Sequence, residues 1–227
     1  MNRKVLVVAA HPDDEVLGCG ATMAKHVQDG DEVHVLIMAE GVTSRGGTRT
    51  EGMDSEALVA LSDSARKACG TLGAASLTML GFPDNRMDSL DRLDIIKEVE
   101  KVIETVRPEI LYTHHGADVN IDHRIVHDAV VVASRPVPGQ PVKTLLFFEI
   151  SSSTEWQVSS HAFSPNWFVD VSDTMHLKLL ALEDYHAEIR PWPHARSLKA
   201  IEHLARLRGA TIGREAAEAF ILGRTIL

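Results

Sequence analysis

"VLVVAAHPDDEVLGCG", residues 5–20, begins as an unbroken apolar run, halts at His11 and Pro12, and resumes after three acids with apolar residues at helical spacing. A short apolar run without alternation is the pattern of a strand buried on both faces of a parallel sheet. Val16, Leu17, Ala21, Ala24 and Val27 then mark one face of a helix over 15–29, closed by Gly30. Strand, polar turn and helix make the first part of a βαβ unit. The turn carries Asp13, Asp14 and Glu15 side by side.

The same rhythm continues along the chain. "EVHVLIMA" (32–39), "SLTML" (76–80) and "ILYTH" (110–114) read as strands, separated by helices over 53–72 and 91–107, the latter stopping before Pro108. A helix at 123–134, strands near 144–150 and 167–171, and helices near 174–187 and 196–208 follow without a linker or repeat. Residues 1–227 therefore read as one α/β domain, a Rossmann-like three-layer α/β/α sandwich with a mostly parallel sheet. Ligands in such sheets bind beyond the carboxyl ends of the strands. His11 and His114 both follow a strand end, which puts them on one rim.

A hydrophobic content of 44% is enough for a substantial core, and a formal net charge of −9 argues against nucleic acid or an anionic membrane as partner. The apolar run of "MNRKVLVVAAH" is too short for a signal peptide, and no stretch reaches the roughly 20 apolar residues of a membrane helix, so no membrane insertion is expected. Cys19 and Cys69 sit in helix-like stretches and read as buried reduced thiols, which favours the cytoplasm.

Acids in the first turn of a helix are ordinary capping, but three adjacent carboxylates at a buried rim repel one another unless a positive charge is near. A second cluster, "THHGADVNIDHRIVH" (113–127), also follows a strand and opens a helix. Imidazole and carboxylate without cysteine suit Zn2+ or another divalent cation in a His₂Asp site with one position left for water. Adjacent Asp13 and Asp14 could divide the roles of ligand and general base.

"AHPDDE" (10–15) and "DH" (122–123) resemble the LmbE/PIG-L family of zinc-dependent N-deacetylases, which hydrolyse the acetamide of N-acetylglucosamine-type sugars. "RGATIGREAAEAF" (208–220) resembles the family's closing signature. The resemblance implies metal ligands His11, Asp14 and His123, Asp13 as base, and a small amino-sugar substrate. Family members commonly assemble, and the apolar "AFILGRTIL" suits either a homo-oligomer interface or a core edge. One position departs from the pattern: where some members carry a histidine that serves the leaving amine, this chain has Asn120, a hydrogen-bond donor that cannot act as an acid. His114 is then the candidate acid, ahead of His115 and His194, with Asp13 itself as the alternative; His127, four residues after His123 on the same helix face, could be a substitute ligand or orient one.

Arg45, in the glycine-rich "EGVTSRGGTRT", and His194, in "RPWPHARS", are candidate substrate-binding residues, as is Asn120; Trp156 and Trp192 could stack on a sugar. "FPDNRMD" (82–88) reads adequately as a turn. Two other functions fit parts of the pattern. The same architecture resembles hydratases of unsaturated carboxylic acids. "GCG" (18–20) places glycines after the first strand, the basis of a non-catalytic nucleotide-binding module, although they fall within the expected helix and the neighbouring acids would repel a pyrophosphate.

Overall fold

Alternate residues of β1 (Lys4–Ala9) enter two different cores. Val5, Val7 and Ala9 pack into one buried cluster, and Leu6 and Val8 into the other, as the two-residue period of a strand requires. The computed structural model describes residues 2–42, 55–158 and 162–227. After β1 come α1 (Asp14–Gln28), β2 (Glu32–Ala39), α2 (Ser55–Leu72), β3 (Ser76–Phe82), α3 (Arg92–Val106), β4 (Ile110–His114), α4 (Ile121–Ala133) and β5 (Thr144–Phe148). The chain then adds β6 (Trp167–Asp170), α5 (Met175–Asp184), α6 (Leu198–Thr211) and β7 (Ala217–Arg224).

The seven strands lie in the order β3-β2-β1-β4-β5-β7-β6. The first five are parallel, and β7 is antiparallel to both its neighbours. Buried residues of α1, α2, α5 and α6 join the first core, and those of α3 and α4 join the second. This is the expected α/β/α sandwich. The strand order reverses between β1 and β4, so the crevice beyond their carboxyl ends is the switch point where such sheets bind ligands.

The expected elements are present with shifted ends. The helix expected from 123 begins at Ile121 because Asn120 caps it, its Oδ1 accepting from the N–H groups of Asp122 and His123. β7 has no counterpart in the sequence reading. The apolar "AFILGRTIL" lies mostly within it, hydrogen-bonded between β5 and β6. Its first six residues, up to Arg224, form an inner strand of the sheet, which gives that part a core role. Among the described residues no helix is long and apolar enough to cross a membrane.

Candidate metal centre and cavity

The corner between β1 and α1 is held by its own acids. Asp14 Oδ2 accepts from the His11 N–H at 2.9 Å and lies 3.1 Å from His11 Nδ1. Glu15 Oε2 accepts from the Asp13 N–H at 3.1 Å, while Glu15 Oε1 accepts from the Tyr185 hydroxyl at 2.6 Å. Asp13 itself has φ 101°, a left-handed conformation that a non-glycine residue adopts only when its surroundings enforce it. Burial lifts Glu15 to about 7.

The corner between β4 and α4 supplies His123, in the first turn behind the Asn120 cap. Its Nδ1 lies 3.2 Å from Asp118 Oδ1. Asp118 is fixed in turn by the hydroxyls of Ser153 and Thr154 and by the Asn120 N–H. These donors and His123 hold the Asp118 carboxyl well below its ordinary range against its burial. Asp122 faces the other way, accepting from the N–H groups of Asn85 (2.7 Å) and Met87 (3.1 Å), with Oδ2 also 3.1 Å from His11 Nε2.

His11, Asp14 and His123 thus meet. Each offers a ligand atom, and these atoms all lie within 4.8 Å of one another. A second group, His11, Asp84 and Asp122, meets the same criterion on the other ring nitrogen of His11. The first group contains buried atoms with no hydrogen-bond partner among the described residues, Asp14 Oδ1 and His123 Nε2. His123 Nε2 does lie 3.2 Å from the other oxygen, Asp14 Oδ2, but buried polar atoms left without a hydrogen bond are unfavourable, and a cation held by the carboxylate and the imidazoles removes that deficit. The Asp122 oxygens are already used by backbone donors, so its contact with His11 Nε2 reads as orientation of the ring.

Charge points the same way. Burial alone would lower the His11 imidazole, yet Asp122 and Asp14 raise it to about 10. Burial would raise Asp14, yet His123 and His11 hold it well below the carboxylate range. The cluster demands positive charge, and oxygen and imidazole donors in this combination fit a zinc-like divalent cation.

Beside this cluster lies a cavity of about 180 Å³, lined in part by His11, Asp13, Asp84, Asn85, Asn120 and Arg196. Arg196 Nη1 donates to Asp13 Oδ2 at 2.9 Å, and its Nε donates to Ser152 Oγ at 2.7 Å. Burial pushes the Asp13 carboxyl well above its ordinary value, and Arg196 opposes that rise. Asn120 lines the cavity, with Nδ2 donating to Asn85 Oδ1 at 2.9 Å. Arg45 lies outside the described residues.

His114 is brought to the cluster but not to the cavity. It is fully buried, and its Nε2 accepts from the Ala10 N–H at 2.8 Å. Burial and the neighbouring His123, stacked on it at 4.0 Å, keep its imidazole neutral. With one nitrogen taken by a backbone donor, His114 packs against His123 and is absent from the cavity lining, where an acid would have to stand. His127 is absent from the cavity lining among the described residues, and its Nδ1 donates to the His114 carbonyl at 2.9 Å. His194 is exposed, and its Nδ1 accepts from the Arg196 N–H. The cationic side chain two residues onward reaches the cavity instead.

Sequence reasoning missed Arg196 and the orienting carboxylates Asp118 and Asp122. The carboxylates were visible in the second cluster. Arg196, 183 residues from Asp13, gave no local signal.

A family model described as PIG-L: GlcNAc-PI de-N-acetylase matches residues 6–134. The uncharacterized deacetylase YaiS of Escherichia coli is 32% identical over 187 residues, 80% of this chain and 89% of its own length. A probable N-acetyl-alpha-D-glucosaminyl L-malate deacetylase 2 of Bacillus cereus is 28% identical over 205 residues, 84% of this chain and 90% of its own. Among solved structures, the 4-carboxy-2-hydroxymuconate hydratase GalB of Pseudomonas putida superposes with a TM-score of 0.81 at 20% identity, covering 99% of this chain and 98% of its own. That likeness is one of fold.

Proposed function

The chain belongs to the PIG-L family, and from that premise we propose that it hydrolyses the N-acyl group, acetyl in the first instance, of an amino sugar or sugar conjugate, with zinc held by His11, Asp14 and His123. The observation that carries this reading is the convergence of those three side chains within 4.8 Å, at the edge of a cavity whose wall includes Asp13. The names of the relatives support an amide substrate over an unsaturated acid, because the hydratase shares the fold alone. Gly18 and Gly20 lie inside α1 and not in the turn before it, which removes the ground for a pyrophosphate loop.

A divalent cation at this site supplies a Lewis acid, which makes water nucleophilic near neutral pH and polarises an amide carbonyl. The chain's own groups do the rest. Asp13, aligned by Arg196, accepts the proton of the attacking water and returns it to the departing nitrogen, because the Asn120 amide is no acid and His114 is buried away from the cavity lining. The Asn120 and Asn85 amides and the Asp84 carboxylate border the same space and offer hydrogen bonds to sugar hydroxyls. Water and amide give acetate and a free amine. Two buried free thiols, Cys19 and Cys69, support a reducing compartment such as the cytoplasm.

The test is release of amine and acetate from N-acetylated amino sugars, with and without a chelator. Amine release that stops on chelation and returns with Zn2+ supports the reading. Addition of water across an unsaturated acid, with no amine freed from any acylated sugar, overturns it.

A further inference from the structure

α1 is two helical pieces joined at one non-helical residue. Cys19, at φ −152° and ψ 25°, interrupts it between Gly18 and Gly20. An interruption frees carbonyls before the break and N–H groups after it, and here side chains from distant parts of the sequence meet them. Glu218 in β7 accepts from the Ala21 N–H at 3.3 Å and the Thr22 N–H at 2.7 Å, as a cap does at the start of a helix. Lys178 in α5 donates to the Leu17 carbonyl at 2.8 Å and to Glu218 at 2.5 Å. Both ionic side chains are about nineteen-twentieths buried.

The flanking glycines make room for this arrangement. A Cβ on Gly18 would fall 2.5 Å from the Phe148 ring, and one on Gly20 would fall 2.9 Å from Val16 and 3.3 Å from the Lys178 chain. Phe148 in turn packs edge-on against His114, on which His123 is stacked. The "GCG" of the sequence and the glutamate of "REAAEAF" therefore belong to one feature.

The first piece of α1 begins at Asp14. We infer that Glu218 and Lys178 are positioning residues: their buried pair keeps α1 in two pieces and so sets the Asp13–Asp14 turn against His123. Buried ion pairs are a weak source of net stability. What this pair supplies, and an apolar pair cannot, is a partner for three backbone groups at the break. The inference rests on the proposed cation site, and not on the amide chemistry assigned to it.

The test uses the full chain with Lys178→Met and Glu218→Leu combined, so that neither charge is stranded and neither side chain can partner the break. Metal-stripped protein is titrated with Zn2+ against a chromophoric chelator, and its melting is followed alongside. The expected result is a fall in Zn2+ affinity of about tenfold or more, the range seen when groups orienting ligands are removed, in protein that still melts cooperatively. On an acylated amino sugar, kcat falls while KM holds. Lys178→Arg, which keeps the charge, retains wild-type affinity. A double variant that binds Zn2+ as the wild type does, with loss confined to its melting temperature, overturns the inference. Should that variant not fold, Glu218→Asp, which keeps the charge but shortens its reach, decides the matter by the same titration. Wild-type protein that binds Zn2+ but frees no amine defeats the deacetylase reading and leaves this one standing.

Discussion

The two corners that build the candidate centre are alike in connectivity and opposite in strain. Each runs strand, turn, helix, and each delivers ligand candidates at the rim. At the β1–α1 corner the residue before the helix is Asp13 at φ 101°, and its side chain makes no capping bond. At the β4–α4 corner Asn120 sits at φ −71° and ψ 130° and caps with its own Oδ1. A left-handed non-glycine residue costs about 1–3 kcal/mol, whereas a good cap stabilises by about 1 kcal/mol. The first corner gives up local stability to aim a carboxylate into the cavity, and the second behaves as ordinary helix architecture that also carries a candidate ligand.

That contrast predicts where each corner fails when altered. The largest effect is expected from Asp14→Ala, which removes the proposed ligand that touches both corners: bound zinc and amine release should both be lost, the rate falling by about 10³-fold or more, or roughly 4 kcal/mol. Metal content after gel filtration and a turnover assay check this. Asp13→Asn comes next. Asparagine tolerates the left-handed region, so the fold and bound zinc should persist while kcat falls by about 10²- to 10⁴-fold, the contribution of a positioned proton-transfer group. Loss of zinc along with activity would erase the distinction drawn between the two aspartates.

How much of this was legible in the sequence follows the same divide between local and distant determinants. β1 to β4 announced themselves because each is a short apolar run between turn signals, and the switch point followed from their order. β7 did not, because "EAAEAFILGR" has helix-compatible residues and becomes a strand only through pairing with β5 and β6. In the site, His11, Asp13, Asp14 and His123 lie in two compact clusters and were readable. Arg196 was not, since nothing local in "RPWPHARS" says which of its side chains turns toward Asp13. His114 was placed on the right rim, but the use of its Nε2 by the Ala10 N–H is a tertiary fact that strand position does not reveal.

The relaxed corner should respond in stability more than in chemistry. Asn120→Ala removes the acceptor for two N–H groups and should destabilise by between about 1 and 2 kcal/mol, lowering the melting temperature by a few degrees for a chain of this size. Asn120→Ser, which keeps a capping oxygen, should recover most of that loss in a thermal melt. Equal melting temperatures for the Ala and Ser variants would mean that the corner is held by something other than its cap.

The far end of the β1–α1 unit sharpens the comparison by carrying an acid that is paired and structural. Asp31 accepts from Arg3 Nη2 at 2.6 Å and lies 2.8 Å from His26 Nδ1. Burial would raise its carboxyl, but Arg3 and His26 bring it down to about 2. A folded value below the unfolded one of about 3.9 means that this acid stabilises the fold above about pH 4, and that the contribution drains away as pH falls through about 2. Arg3 is 45% exposed, so solvent screening keeps the effect below about 1 kcal/mol. Asp31→Asn should therefore cost that small amount at pH 7, leave zinc binding untouched, and converge on the wild type in denaturant unfolding as pH drops from 4 toward 2. A gap that stays constant with pH would show that Asp31 acts through hydrogen bonding alone, and would leave Asp13 and Asp14 as the acids of this unit whose charge matters.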